Sequence, residues 1–455
     1  MDYPEARYPR VKQEATDEEL AYYARYLVNA KEYKSNKVGF SAYGNTKPGD
    51  RVLLAAESLI DPRIVTQIQQ ALQEKNATVD RLLLDKGKDR EVEELDEIRF
   101  FIGGPGRPEP EIVSRMLVPW IYDLAGKMNY DLLIQGNGGP SAKTVKRHAG
   151  IPWPSVEVFA SETTTFPSEL NELINKVTWD MIWNKGRGGK VRLTDPEGTD
   201  LTFTLFEEYY DRPDAYGFAK DPRMGHLFTH PVPPILDKAD DNGVLCGTTS
   251  HVGRPFPHIK VDFKDGVAVK VEGGGQYGDA WRELLEQTKD VQYPEFPRPG
   301  MFWIWEVALG SHPKAFRPTN FIMRGSWASF WERYRSGMIH VGVGSSLPEI
   351  YGDTDAWAKK NNHPYGHIHV HLLFPTYEIT TTSGEKIKVV DKGHLTALDH
   401  PEVKAMAATY RNSENLLKED WIPGIPGINQ QGDYMEDYGK DPVSWMLKEL
   451  QHYQT

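Results

Sequence analysis

The sequence predicts an α/β N-terminal domain over residues 1–184 and an α+β, β-rich C-terminal domain over residues 185–455. Three observations predict this. A strand–helix–strand alternation runs through residues 51–84. Near Asn184-Lys185-Gly186-Arg187-Gly188-Gly189 the texture changes to short strands joined by tight turns. The length, 455 residues, also exceeds what one hydrophobic core ordinarily organises.

The N-terminal elements follow in order. Leu20, Tyr23, Ala24 and Leu27 recur at helical spacing and predict a helix over residues 16–35. Arg51 to Ala56 is a short apolar run that predicts a buried strand. Asp61 is placed to cap a helix that carries Val65, Ile68, Ala71 and Leu72, and Pro62 suits its first position. Val79 to Leu84 is the next strand, so the unit predicts parallel pairing through a right-handed crossover. A loop at 103–110, a helix from Val113 to Leu124 and a strand over Asp131 to Ile134 follow. That strand ends at Gly136-Asn137-Gly138-Gly139-Pro140, which lacks the full dinucleotide fingerprint and is read as a plain turn. Residues 167–182 predict a further helix.

In the second half, Val191 to Thr194 and Leu201 to Leu205 flank the turn Asp195-Pro196-Glu197-Gly198. Ile259 to Phe263 and Val267 to Val271 flank Lys264-Asp265-Gly266, a strong hairpin signal.

Composition narrows the function classes. A formal charge of −12 argues against a nucleic-acid partner and against an acidic membrane surface. Cys246 is the single cysteine, which excludes an intrachain disulfide and a thiolate cluster and suits the cytoplasm. The polar start, Met1-Asp2-Tyr3-Pro4-Glu5, reads as no secretory signal, and no apolar run reaches the ~18 residues of a membrane span.

Histidine carries the chemistry. Of 14 histidines, all but His148 and His452 lie between His226 and His400. His367-Ile368-His369-Val370-His371 is the most informative string. On a strand its three imidazoles share one face, while Ile368, Val370 and Leu372 share the other. Aligned imidazoles are costly to bury without partners, and a metal ion satisfies such nitrogens; a solvated strand face is the plainer alternative. Glu306 is the only ionisable residue in the apolar run from Met301 to Gly310, so it must be neutralised, bound to a cation, or paired with an arginine such as Arg324 or Arg333. His340, in Met338-Ile339-His340-Val341-Gly342-Val343-Gly344, is a third candidate ligand, and His226 a weaker fourth. His230, His251, His258, His312, His363, His394 and His400 lie beside loop residues and read as surface, with His363 and His312 the first exceptions to expect. Two histidines and one carboxylate with open positions suit non-haem Fe(2+) and O2, whereas a richer set could hold Zn(2+), Mn(2+) or Co(2+) for hydrolysis.

The second half resembles the thermophilic-type metallo-aminopeptidases, the aminopeptidase T family, and their relative 2,5-dihydroxypyridine 5,6-dioxygenase, a mononuclear iron enzyme. The likeness covers most of residues 185–375 and, faintly, 49–85. Gly198-Thr199-Asp200-Leu201-Thr202 is similar to the family's Gly-Thr-Asp-Leu strand, and Asn242-Gly243-Val244-Leu245-Cys246-Gly247-Thr248 follows in order. Gly225-His226-Leu227-Phe228-Thr229-His230-Pro231 resembles Gly-Glu-Val-Phe-Thr-Ala-Pro, with His226 at a ligating glutamate. Glu306-Val307-Ala308-Leu309-Gly310 looks like Glu-Leu-Gly-Ile-Gly, a second ligating glutamate, and His340-Val341-Gly342-Val343-Gly344 is similar to the ligand turn His-Ile-Ala-Leu-Gly. His369 and His371 take the place of a His-x-Asp pair.

What the resemblance implies is a metal-binding second domain, with the metal held by Glu306, His369, His371 and His340. His340 or His226 would be the acid/base. Two carboxylate positions are histidine here, and the family's tyrosine falls at Leu347, near Tyr351. Fewer anionic ligands hold two ions less well, so the implied activity is a dioxygenase opening a hydroxylated aromatic or heteroaromatic ring. A metal-dependent aminopeptidase or amide hydrolase is the alternative, and a non-catalytic binding protein a third. Trp303, Trp305, Trp327 and Trp331 are read first as core packing, with ring stacking the other use. The partner is a small-molecule substrate, and the resemblance implies a homo-oligomer.

Overall fold

A computed structural model describes residues 2–31, 42–85, 87–107, 117–136, 145–211, 227–230, 235–324, 331–345 and 354–454. His226, Trp327, Leu347, Tyr351 and the turn residues 137–140 lie outside the described residues.

Helix α1 (Asp17–Asn29) opens with a capping box, in which Thr16 and Glu19 satisfy each other's backbone N–H groups. Strand β1 (Arg51–Glu57), helix α2 (Pro62–Glu74) and strand β2 (Thr78–Leu84) form the expected unit. Asp61 accepts from Arg63 N at the cap, with Pro62 at the first turn. The strands pair in parallel, Arg51 opposite Thr78. Strands β3 (Leu132–Gln135) and β4 (Arg147–Ala149) extend this parallel sheet in the order β2-β1-β3-β4. Both faces of β1 are covered, as parallel sheets require. Val52 and Leu54 pack with Ile64 and Ile68 of α2, whereas Leu53 and Ala55 pack with Ile121 and Ala125 of helix α4 (Leu117–Lys127). A short helix α3 (Asp96–Phe101), absent from the sequence reading, lies between. The helix expected at 167–182 runs from Ser168 to Trp179 and continues as wider π turns over Asp180–Lys185.

The second half is built on two antiparallel sheets. The larger combines β5 (Lys190–Thr194), β6 (Asp200–Thr204), β8 (Asn242–Gly247), β9 (Ile259–Lys264), β10 (Val267–Gly273), β14 (Thr376–Thr380), β15 (Lys386–Asp391) and β16 (His394–Leu395) in the order β10-β9-β8-β6-β5-β14-β15-β16. The β9–β10 hairpin turns through Asp265 (φ 50°) and Gly266 (φ 92°), the left-handed pair that an Asp-Gly turn supplies. The smaller sheet has the order β13-β12-β11-β7, made of β7 (Leu227–His230), β11 (Ile304–Leu309), β12 (Ile339–Gly344) and β13 (His367–Leu372).

Both sheets feed one core, in which Ile368, Val370 and Leu372 pack with Val191, Leu193 and Val261. Ile98, Ile102, Leu170 and Ile174, all before residue 185, are buried in the same core. Conversely, Ala315, Phe316, Trp331 and Trp421 are buried in the core around the parallel sheet. No helix among the described residues is long and apolar enough to cross a membrane.

Candidate metal centre

Strand β13 carries the histidine string, and all six of its residues are buried. Ile368, Val370 and Leu372 enter the core, which leaves His367, His369 and His371 together on the opposite face. As the edge of its sheet, β13 must satisfy its outward N–H groups elsewhere. His371 N donates to Thr249 O (2.9 Å) and His369 N to a carboxylate oxygen of Glu97 (3.1 Å).

The register of three strands then assembles the cluster. His340 on β12 lies opposite His371, and Gly342 lies opposite both His369 and Glu306. A Cβ on Gly342 would stand 2.9 Å from Glu306 Cβ and Oε2 and 3.4 Å from His369 Cδ2. Glycine therefore leaves the gap through which the outer two side chains approach. Glu306 Oε1 is 3.0 Å from His340 Nε2, and Glu306 Oε2 is 3.7 Å from His369 Nε2. Potential ligand atoms of Glu306, His367 and His369 all lie within 4.8 Å of one another. One carboxylate and neutral imidazoles, buried together, are the donors a divalent transition ion prefers.

His371 meets a different neighbour. Its Nε2 is 2.7 Å from Nδ1 of His251, and the His251 ring stacks on His369 at 3.5 Å with an interplanar angle of 5°. His251 corrects the sequence reading, which placed it on the surface. Nothing in Thr249-Ser250-His251-Val252 marks burial, because its surroundings are supplied by distant strands. His230 is a second correction: it is buried on β7, 2.9 Å from Asp241. His312 is buried against Phe166, as expected of an exception.

Two more carboxylates close the shell. Glu97 of α3 accepts from His369 Nδ1 at 2.8 Å, and Glu332 accepts from His371 Nδ1 at 2.8 Å. Sequence reading missed both; neither stands in an apolar run that would have marked it for burial. Burial opposes charge on His369, but the Glu306 and Glu97 carboxylates outweigh it and raise the pKa. A proton on His369 thus serves two carboxylates, and a cation beside Glu306 would release it. Burial lowers His371, against the pull of Glu332, and holds His251 well below the usual range, with His369 and Arg333 adding to the effect. Phe101 borders this cluster, with its ring 4.8 Å from His369 and 4.9 Å from His367, and Trp305 stands edge-on to His367 at 4.6 Å. Trp303 and Trp331 are core residues.

No protein-family model and no curated protein matches the chain. Among solved structures it is similar to 2,5-dihydroxypyridine dioxygenase from Pseudomonas putida, with 14% identity and a TM-score of 0.46 over 84% of this chain and 98% of that one. It is also similar to wild-type AmpT from Thermus thermophilus, with 13% identity and a TM-score of 0.43 over 84% of this chain and 100% of that one. Both kinds of protein that the motifs resemble are thus among the structural neighbours.

Proposed function

We propose that the chain is a metal-dependent enzyme that binds one Fe(2+) ion and uses O2 to open a hydroxylated aromatic or heteroaromatic ring. The observation that carries the reading is the donor set: Glu306 is the carboxylate of the cluster, and His367 and His369 bring ligand atoms within 4.8 Å of it and of each other. Two imidazoles and one carboxylate leave coordination positions open, the arrangement suited to non-haem iron and oxygen. Glu97 and Glu332 are committed to imidazole Nδ1 atoms, so they do not enlarge the anionic set toward a two-ion hydrolytic site.

In this reading Glu306, His367 and His369 hold the ion, with His340 on the other oxygen of Glu306. His371, expected as a ligand, instead forms with His251 a pair that can pass a proton between Nε2 and Nδ1 across 2.7 Å. Iron, when bound, supplies the redox chemistry that joins O2 to the ring. The residues around it exclude water, and Phe101 and Trp305, both buried, pack edge-on against the His369 and His367 rings.

The test is metal analysis of protein purified under argon, then reconstitution with Fe(2+), Zn(2+), Mn(2+) or Co(2+). Each form is assayed for O2 uptake on a phenol and hydroxypyridine panel and for amide cleavage without O2. One iron per chain with O2 uptake tied to ring loss supports the reading. Amide cleavage under argon with zinc, cobalt or manganese overturns it in favour of a hydrolase, and a chain that binds none of the four ions overturns both.

A further inference from the structure

The imidazoles of β13 are gripped from behind. An imidazole can carry its single neutral-state proton on either nitrogen, and only the bare nitrogen can bind a metal or accept a proton. At His369 and His371 the structure supplies a carboxylate to the same nitrogen, Nδ1, in each case at 2.8 Å. The two carboxylates come from unrelated places. Glu97 stands on α3, 272 residues from its histidine, and Glu332 stands 39 residues away in the segment before β12.

Each carboxylate is itself immobilised. Glu97 is 0% exposed and accepts three hydrogen bonds: His369 N and Nδ1 reach Oε1, and Val252 N reaches Oε2 at 3.0 Å. It therefore locks a side chain to its own backbone and ties down the loop that carries His251. Glu332 gives its second oxygen to Arg317 Nε at 2.8 Å, and that guanidinium is buried too.

We propose that Glu97 and Glu332 are positioning residues that fix His369 and His371 with the proton on Nδ1, so that both Nε2 lone pairs face the cluster. A proton order follows along one line of contacts. His371 Nδ1–H donates to Glu332, and its Nε2 accepts from His251 Nδ1–H, which leaves the lone pair of His251 on Nε2. Carboxylates behind metal-binding histidines raise ligand basicity, and their loss typically weakens metal binding 10- to 100-fold.

The inference rests on the metal-centre reading, but one of its tests does not need a metal. Full-length, metal-free protein labelled with ¹⁵N-histidine, at alkaline pH where imidazoles are neutral, should show His369 and His371 as Nδ1–H tautomers. Nε2–H forms at both would overturn the inference whether or not an ion binds. In chelator competition with Co(2+), Glu97→Gln, behind the ligand His369, should weaken binding roughly 10- to 100-fold, whereas Glu332→Gln, behind the non-ligating His371, should keep wild-type affinity and cost His371 its Nδ1–H preference in the ¹⁵N spectrum. Glu93→Gln, a change at an exposed residue before α3, should leave binding unchanged. Wild-type affinity in Glu97→Gln, or an unchanged His371 tautomer in Glu332→Gln, would overturn the inference while leaving the metal centre standing. A wild-type chain that binds no ion would remove the metal centre but not the tautomer result, and a variant that fails to fold leaves the wild-type spectrum to decide.

Discussion

Gly342 faces Glu306 across the β11–β12 pairing with no side chain between them, and a methyl group there would stand 2.9 Å from the Glu306 Cβ and Oε2. The same missing atom opens the line from Glu306 to His369. Gly342→Ala should therefore displace the carboxylate. Overpacking of this kind costs about 1–3 kcal/mol. The expected outcome is a folded variant with sub-stoichiometric iron by elemental analysis. Full metal occupancy would show that Glu306 need not sit where the register places it.

The side chains of the cluster should divide into two groups under single alanine replacement. Glu306→Ala, His367→Ala and His369→Ala remove atoms of the compact donor set and should reduce metal affinity at least tenfold. His251→Ala and His371→Ala remove the proton-sharing pair and should keep the ion while losing most turnover. Metal loss in His371→Ala would return that residue to the ligand set.

This division shows what sequence could and could not reveal. Period-two alternation placed three imidazoles on one face of residues 367–371 because a strand's geometry is local. The apolar surroundings of Glu306 marked it for the same reason. Nearest partners are a different matter. That His369 lies across Gly342 from Glu306, or that His371 turns toward His251, depends on strand register and on a loop after β8. The parallel β1–α2–β2 unit was equally legible, being written in one continuous stretch with its cap. Glu97 and Glu332 were not, since what makes each of them matter is a histidine brought to it by folding.

Arg317 offers a stability test apart from the metal. It is buried between Glu332 (2.8 Å) and Glu449 (3.7 Å). Removing the cation leaves two carboxylates in low dielectric, and breaking a buried pair in this way costs about 3–5 kcal/mol. Arg317→Met should thus lower the urea midpoint far more than Glu449→Gln. Similar losses in both would mean that packing, not charge, dominates there.

A last prediction concerns pH. Burial raises the pKa of Glu197, with the nearby Asp195 charge adding to it, against hydrogen bonds from Tyr434 and Thr248. Glu449 is likewise raised by burial, to about 7, with Arg317 and the Gly424 N–H opposing. A carboxyl raised in the folded state holds its proton more tightly there than in the unfolded chain. Its contribution is full below the ordinary value of 4.5 and is lost as pH rises through the window toward the folded value. For Glu449 that window runs from 4.5 to about 7. Each such group can tilt stability by at most about 1.4 kcal/mol per pH unit. Glu197→Gln keeps the side chain's shape and an acceptor for Tyr434 and Thr248 but cannot ionise. Relative to wild type, the variant should therefore gain unfolding free energy between pH 5 and pH 7.5. A difference that stays flat across this range, measured by urea unfolding, would mean that the Glu197 proton is held no more tightly in the fold than out of it.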